Sequence, residues 1–388
     1  MAGVPAADRV VIVGAGPAGM ATAIELAQQG VPSVVLEKRG AIASRAPLFA
    51  VVPPFADRLA ALDPDGSLTK LLTPIDRMAS TLLPTGETSA REFATPLAPD
   101  PTRSRGDIGA VIRASGPPTA PDADTRRWAF AGIDAVENGL RSLARERYGD
   151  LIELRPDSDV TGIRQGDGWA EAVLGPCRSA PAGDAVRGAM LVDASGRDIM
   201  GGPRTVHPER VGWIGARFGP PADGRHALTK VRAGDPGGPV HATVALPGGD
   251  RTIVWTQVAG DPNEIEPAAA RALVQERARS VGVTEALPVD AKAMPVSVQL
   301  WTSDEPAVGR VLKVGDSLRA PYFMTSTGAA TALVHDAPRA VDTILAVRAG
   351  APVKQAVGAY ADAARGANSA LLELVRPRLV ADAEAIAG

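Results

Sequence analysis

In Val10-Val11-Ile12-Val13-Gly14-Ala15-Gly16-Pro17-Ala18-Gly19 a β-branched run stops abruptly at the first of three closely spaced glycines. Four such residues in a row suit a strand buried on both faces, as in a parallel sheet. Met20 to Gln29 reads as a helix rich in Ala, Leu, Glu and Gln, closed by Gly30 as its C-cap. Ser33-Val34-Val35-Leu36-Glu37 is a second short strand that ends in an acid. Strand, glycine turn, helix, strand and terminal acid follow in the order of a dinucleotide-binding unit.

Each glycine has a separate job in such a unit. Gly14 permits the tight turn, Gly16 lets the backbone approach a pyrophosphate, and Gly19 lets helix and strand pack closely. The helix N-terminus offers free N–H groups and a partial positive charge to the phosphates. Glu37 lies 18 residues past Gly19, near the ~20-residue spacing of an acid that bonds a ribose hydroxyl.

The bulk properties narrow the class. The 388-residue chain is 45% hydrophobic and 22% charged, as expected of a globular protein with a sizeable core. Its formal net charge of −3, with Lys and Arg spread along the chain, offers no basic field for nucleic acid. Cys177 is the single cysteine, which excludes internal disulfides and dithiol redox chemistry; its loop-like setting reads as a bystander thiol. His207, His226, His241 and His335 lack the short spacing of a metal site, so no metal is expected. No signal peptide and no membrane span are visible, so a cytoplasmic location is expected.

Further along, Trp128 to Tyr148 carries Ile133, Val136, Leu140, Leu143 and Ala144 on one helical face. Strand candidates follow at 151–155, 158–164 and 169–174. Ala189-Met190-Leu191-Val192-Asp193 then runs into Ala194-Ser195-Gly196-Arg197. Arg310-Val311-Leu312-Lys313-Val314 is a late strand ending in Gly315-Asp316, before a long Ala-rich helix from about Gly328 to Val347. Thr325, Ser326 and Thr327 are N-cap candidates for that helix.

With these three segments in this order, the chain resembles the FAD-dependent hydroxylases related to para-hydroxybenzoate hydroxylase, the group A flavoprotein monooxygenases. Glu37-Lys38-Arg39 and Arg45-Ala46 resemble the acid and the Arg-Ala pair that follow the glycine unit there. The resemblance implies an α/β fold: a Rossmann-type FAD-binding domain, an inserted antiparallel β-sheet substrate domain and C-terminal helices. The corresponding division is 1–72, 126–200 and 290–348 for FAD binding, 73–125 and 201–289 for the substrate, and 349–388 for the helices.

It also implies roles. Gly14, Gly16 and Gly19 would hold the pyrophosphate, with Glu37 and Lys38 at the adenosine end and Arg45 near the pyrophosphate. Val160 would touch adenine through its backbone. Asp193 with Gly196 would lie near FAD and the transient NAD(P)H, Asp316 after Gly315 would bond the ribityl chain, and Gly328 would face the flavin. The implied reaction uses NAD(P)H and O2, through a flavin C4a-hydroperoxide, to hydroxylate or epoxidise a small apolar or aromatic, natural-product-like substrate.

The pattern departs from the family where chemistry is expected. Relatives often read Gly-Asp-Ala-Ala-His, and here the stretch is Gly315-Asp316-Ser317-Leu318-Arg319. Their Pro-x-x-Gly-x-Gly becomes Phe323, Ser326 and Gly328 in an ungapped match, with Pro321 displaced by two. An arginine that precedes the long helix in relatives is replaced by Gly132 or Ile133; Arg126 and Arg127 lie upstream. Spacing identifies no catalytic acid or base, and Arg319 and Tyr322 are candidates by adjacency alone. A repurposed cyclase or isomerase that keeps FAD without net redox, and an isoprenoid-type reductase, are the alternatives this motivates. Halogenation is disfavoured by the absence of Trp-x-Trp-x-Ile-Pro.

Arg210–Phe218, Val240–Leu246 and Thr252–Val258 read as antiparallel strands, the last two joined as a hairpin at Pro247-Gly248-Gly249-Asp250. Trp213, Trp255, Gln257, Gln299 and Trp301 are candidate substrate-lining residues. Residues 93–125, rich in Pro, Gly and Asp, read as a loop, lid or disordered stretch. Segments 352–365 and 367–386 read as two helices packing on the FAD-binding block or on another subunit, the latter making a homodimer.

Overall fold

The computed structural model describes residues 8–43, 47–83, 85–93, 95–116, 120–176, 183–220, 227–234, 240–248 and 250–387. Arg45, Cys177 and His226 lie outside these residues.

Six strands form the first sheet, in the order Ala307–Val308, Val311–Lys313, Met190–Asp193, Val10–Val13, Ser33–Leu36, Ile152–Arg155. All neighbours are parallel except the two-residue edge strand. Val10, Val11, Ile12 and Val13 are buried on both faces, each contributing ~1.5–3 kcal/mol by leaving water. That is why the run reads without polar alternation. The helix Pro17–Gln28 follows the glycine turn and ends as expected at Gly30: Gly30 N–H donates to Ala27 O and Val31 N–H to Leu26 O. Beside this sheet, Val160–Gly166, Trp169–Leu174 and Ala185–Gly188 form a small antiparallel meander.

The second large sheet has eight strands, in the order Arg319–Ala320, Met294–Ser303, Arg204–Phe218, Thr252–Val258, His241–Pro247, Ala227–Ala233, Arg77–Leu82, Glu87–Glu92. Only Ala227–Ala233 and Arg77–Leu82 run parallel. Strict alternation divides two cores. Val211, Trp213, Ile253 and Trp255 join the main core. Ile214, Ala216, Phe218, Val254 and Val258 pack with Val274 and Ala278 of the helix Pro267–Ala278. The strand Arg204–Phe218 starts six residues earlier than the sequence suggested and shifts register between Val206 and Arg210.

Three readings need correction. The helix expected from Trp128 begins only at Ile133, because Ala129–Gly132 pairs as a strand with Leu48–Val51. The C-terminal region is one helix, Val353–Ala387, and not two. A buried stripe of Val357, Tyr360, Ala364, Leu371, Val375 and Leu379 keeps one register on either side of the exposed Gly366, and Pro377 is accommodated inside the helix. Residues 93–125 include the helix Ile108–Ser115, held by buried Val111 and Ala114. Arg126 anchors the end of that region, donating to Asp57 at 2.7 and 2.9 Å and to Asp124 at 2.8 Å.

Candidate cofactor and active site

A cavity of about 470 Å³ runs from the glycine turn of the parallel sheet to the segment 320–329. Gly14, with φ +103°, opens it. A side chain there would strike the Ala194 carbonyl, and one at Gly19 would strike Gly14 O, so both positions exclude a Cβ. At Gly16 a Cβ would meet only Glu137 Oε1, 3.8 Å away, which leaves the backbone open towards the cavity. No side chain caps the helix Pro17–Gln28, so its first-turn N–H groups remain available to an anion. Gly14, Gly16, Glu37, Lys38 and Val160 line this end. Gly19 acts behind the wall, through packing.

Glu37 does more than the sequence suggested. Its carboxylate accepts from Ala15 N–H at 2.8 Å and Arg39 N–H at 2.9 Å, so it ties down the glycine turn. A carboxylate offers about four acceptor positions, which leaves capacity for a ribose hydroxyl. Arg141 completes the arrangement and was not foreseen. Buried in the helix Ile133–Tyr148, it donates to Ala15 O at 3.2 Å, to Gly40 O and Ala41 O at 3.3 Å, and to Glu37 at 3.4 Å. Its signal was available: Glu137 and Arg141 are charged residues one turn apart on the buried face.

Asp193 lies behind the lining loop and not in it. It accepts from Ser195 N–H at 3.0 Å, Ile199 N–H at 2.9 Å and Ser317 Oγ–H at 3.0 Å. Ser317 also accepts from Gly196 N–H at 3.0 Å, joining the two loops. Ala194, Ser195, Gly196, Gly315 and the exposed Asp316 then line the cavity wall.

At the far end, Trp301, Pro321, Phe323, Ser326 and Gly328 form the wall. Phe323 sits 5.2 Å from Trp255 and 5.8 Å from Trp213, ring to ring. The expected N-cap is absent: Ser326 adopts φ +58° without a capping bond, while Thr325 donates to Tyr322 O at 2.6 Å and pairs with Thr327 at 2.9 Å. Of the five sheet residues proposed as lining, Trp301 alone reaches this cavity. Gln257 bonds Ala242 N–H and Asp382 O instead, and Gln299 bonds His207 O.

Arg319 and Tyr322, the catalytic candidates, are both buried outside the cavity. Arg319 donates to Asp336 at 2.6 and 2.9 Å and to Asn368 at 2.5 Å. Asp336 in turn accepts from Gly315 N–H at 3.1 Å, so this pair braces the Gly315-Asp316 turn. Burial alone would raise the Asp336 carboxyl, but Arg319 and His335 outweigh it and hold it down at about 2. Tyr322 donates to Asp382 at 2.7 Å, and burial with that carboxylate raises its hydroxyl well above the ordinary value. Arg126 and Arg127 do not line the cavity either; Ile133 and Glu137 do.

This geometry fits FAD, and known proteins agree. The family model described as FAD binding domain matches residues 8–47. Structural likeness extends over nearly the whole chain. p-Nitrophenol 4-monooxygenase PnpA from Pseudomonas putida has a TM-score of 0.71 at 21% identity, covering 96% of this chain and 87% of that one. Aklavinone-11 hydroxylase, in a ternary complex with FAD and aklavinone, has a TM-score of 0.69 at 19% identity, covering 95% and 69%.

The chain has the fold of the FAD-dependent monooxygenases. PqsL, a probable FAD-dependent monooxygenase from Pseudomonas aeruginosa, matches end to end: 98% of each chain, TM-score 0.67, 15% identity. A search of curated protein sequences gives no match. The residues matched by the FAD-binding family model, 8–47, take in the first strand, the glycine turn, the helix Pro17–Gln28 and the strand Ser33–Leu36. Among the described residues, no helix is long and apolar enough to cross a membrane, and no group of three or more His, Cys, Asp or Glu could hold a metal.

Proposed function

We propose that this protein is an FAD-dependent monooxygenase that uses NAD(P)H and O2 to oxygenate a small apolar or aromatic substrate. The observation that carries this reading is the single continuous cavity from the glycine turn, past Asp316, to the apolar wall of Pro321, Phe323 and Trp301. Bound FAD supplies the electron transfer from NAD(P)H to O2. One oxygen atom enters the substrate as a hydroxyl or epoxide, and the other leaves as water with the electrons of the reductant.

The chain's own residues bind, orient and exclude water. Gly14, Gly16 and the uncapped helix take the pyrophosphate; Glu37 and Lys38 take the adenosine ribose, with the Val160 backbone at adenine. Gly315, Asp316 and Gly328 take the ribityl chain and the flavin edge. Backbone N–H groups at the start of the helix Thr327–Thr331 would lie beside the flavin edge and would favour negative charge there. Phe323 and Trp301 supply a dry, aromatic surface beside it. The parallel-sheet block thus carries the cofactor, and the eight-stranded sheet roofs the substrate.

The test is to purify the flavin-loaded protein and follow NADPH and NADH oxidation with and without O2 and aromatic substrates. Oxygen-dependent consumption with an oxygenated product is expected. Conversion of substrate by oxidised FAD alone, without a nicotinamide, would overturn the reading.

A further inference from the structure

A second cavity, about 430 Å³, lies against the opposite side of the segment that ends the first one. Pro321, Phe323 and Ser326 face the flavin cavity, whereas Tyr322, Met324 and Thr325 face the second. One layer of backbone separates the two. The second cavity brings together Lys230 and Arg232, from the strand Ala227–Ala233, and Arg378, from the C-terminal helix. Asp382 is the one carboxylate among its described lining residues.

That carboxylate is already heavily used. Buried Asp382 accepts from Arg232 at 2.8 Å and from Tyr322 at 2.7 Å, and Lys230 stands 3.6 Å from it. Arg378 donates at 2.8 Å to the Ser115 carbonyl, a neutral partner. Three cations therefore share one anion in a partly enclosed space. Burial, with Arg232 and Arg378 nearby, lowers the Lys230 ammonium despite Asp382; burial likewise lowers Arg378. Such an excess of positive charge is relieved by an anion from outside. Beside Tyr322 and Thr325, whose hydroxyls donate to Asp382 and to Tyr322 O, the wall has the apolar Met324, Pro377 and Ala381, which suit a carbon body and not a bare ion.

We propose that this cavity is a binding site for an organic carboxylate, its charged end held by Lys230, Arg232 and Arg378 and its carbon body lying on Met324 and Ala381. Because Tyr322, Met324 and Thr325 alternate with residues of the flavin wall, occupancy also changes the flavin environment. The site does not depend on oxygen chemistry, so it stands or falls separately from the proposed reaction.

The experiment is calorimetric titration of the flavin-loaded protein with 4-phenylbutyrate, its neutral analogue 4-phenylbutanol, and inorganic phosphate, with the visible flavin band followed in parallel. Saturable binding of phenylbutyrate, weakened by salt and accompanied by a shift of the flavin band, is expected. Arg378→Gln should weaken it by about thirtyfold or more, the low end for truncating one partner of a buried charge pair. Asp382→Asn removes the competing carboxylate and should tighten it, an opposite change that loss of folding cannot imitate. Equal binding of the alcohol, tighter binding of phosphate, no binding at millimolar concentration, or an affinity unmoved by both substitutions would overturn the proposal.

Discussion

Asp336→Asn tests whether the Gly315-Asp316 turn is braced from behind. In the native protein Asp336 is fully enclosed, receives two charge-assisted bonds from Arg319 at 2.6 and 2.9 Å, and accepts from Gly315 N–H. The amide keeps the shape but removes the charge, leaving the Arg319 cation buried with only Asn368 and a neutral oxygen. Breaking one side of a buried pair costs ~3–5 kcal/mol. The depressed carboxyl gives a second route to the magnitude. Between the ordinary 3.8 and about 2, at ~1.36 kcal/mol per pH unit, the ionised form contributes roughly 2 kcal/mol. Since the folded value is the lower one, this contribution is complete above pH 4 and disappears as pH falls through about 2. Urea unfolding of the flavin-loaded protein should therefore show a loss of roughly 2–5 kcal/mol in Asp336→Asn at neutral pH. The wild type should lose stability on acidification more steeply than the variant. Flavin affinity, read by fluorescence quenching, should fall with the stability. The double variant Arg319→Met, Asp336→Leu should recover most of the stability, because it leaves no buried charge, while still lacking the Gly315 N–H acceptor. A single variant within about 1 kcal/mol of wild type, far below the cost of an unpaired buried charge, would refute the reasoning.

Gly14→Ala should abolish flavin retention: the left-handed backbone costs ~1–3 kcal/mol and the new methyl meets the Ala194 carbonyl. The ratio of visible to ultraviolet absorbance in the purified protein checks it. Arg141→Met, at a side chain bonded to Ala15 O and Glu37, should weaken FAD binding by about tenfold or more, since a 1.4 kcal/mol loss is tenfold. Flavin titration of the apoprotein measures it, and unchanged affinity would remove Arg141 from the cofactor site. Leu371→Ala, in the middle of the single C-terminal helix, should cost ~2–5 kcal/mol, seen as a lowered thermal midpoint. A change near zero would mean that this stretch does not pack as one buried helix.

The parallel sheet was legible because its local rules and its tertiary demands agree. Val10–Val13 is apolar at every position, the next residue needs a left-handed backbone, and the following helix begins where proline is tolerated. The same agreement made Ser33–Leu36, Met190–Asp193 and Val311–Lys313 readable. Where they conflict, pattern reading failed. Ala129-Phe130-Ala131-Gly132 has no strong β preference, yet partner strand Leu48–Val51 claims it. Gly366 is a poor helix former, but the apolar stripe on either side keeps one register and carries the helix through. The helix Pro267–Ala278 carries little sequence signal, since it buries only Ala270, Val274 and Ala278.

The residues nearest the chemistry were harder to find for a different physical reason. In the segment 319–328, successive side chains serve different spaces: Arg319 goes to the buried Asp336 pair, Tyr322 to Asp382, and Pro321, Phe323 and Ser326 to the cavity that opens at the glycine turn. Sequence adjacency therefore says little about which of them meets a ligand. Arg319 and Tyr322 are both committed to buried carboxylates, Asp336 and Asp382, which fix the first half of the stretch. What this leaves facing that cavity is mainly apolar. With Ser326 as the one hydroxyl among its described residues, this wall offers no carboxylate, imidazole or amine, which agrees with the proposed reaction, in which the cofactor carries the chemistry and the protein contributes position and dryness. The charges on its other side have a separate origin: Lys230 and Arg232 come from the strand Ala227–Ala233 and Arg378 and Asp382 from the C-terminal helix, so the segment divides an apolar space from a charged one.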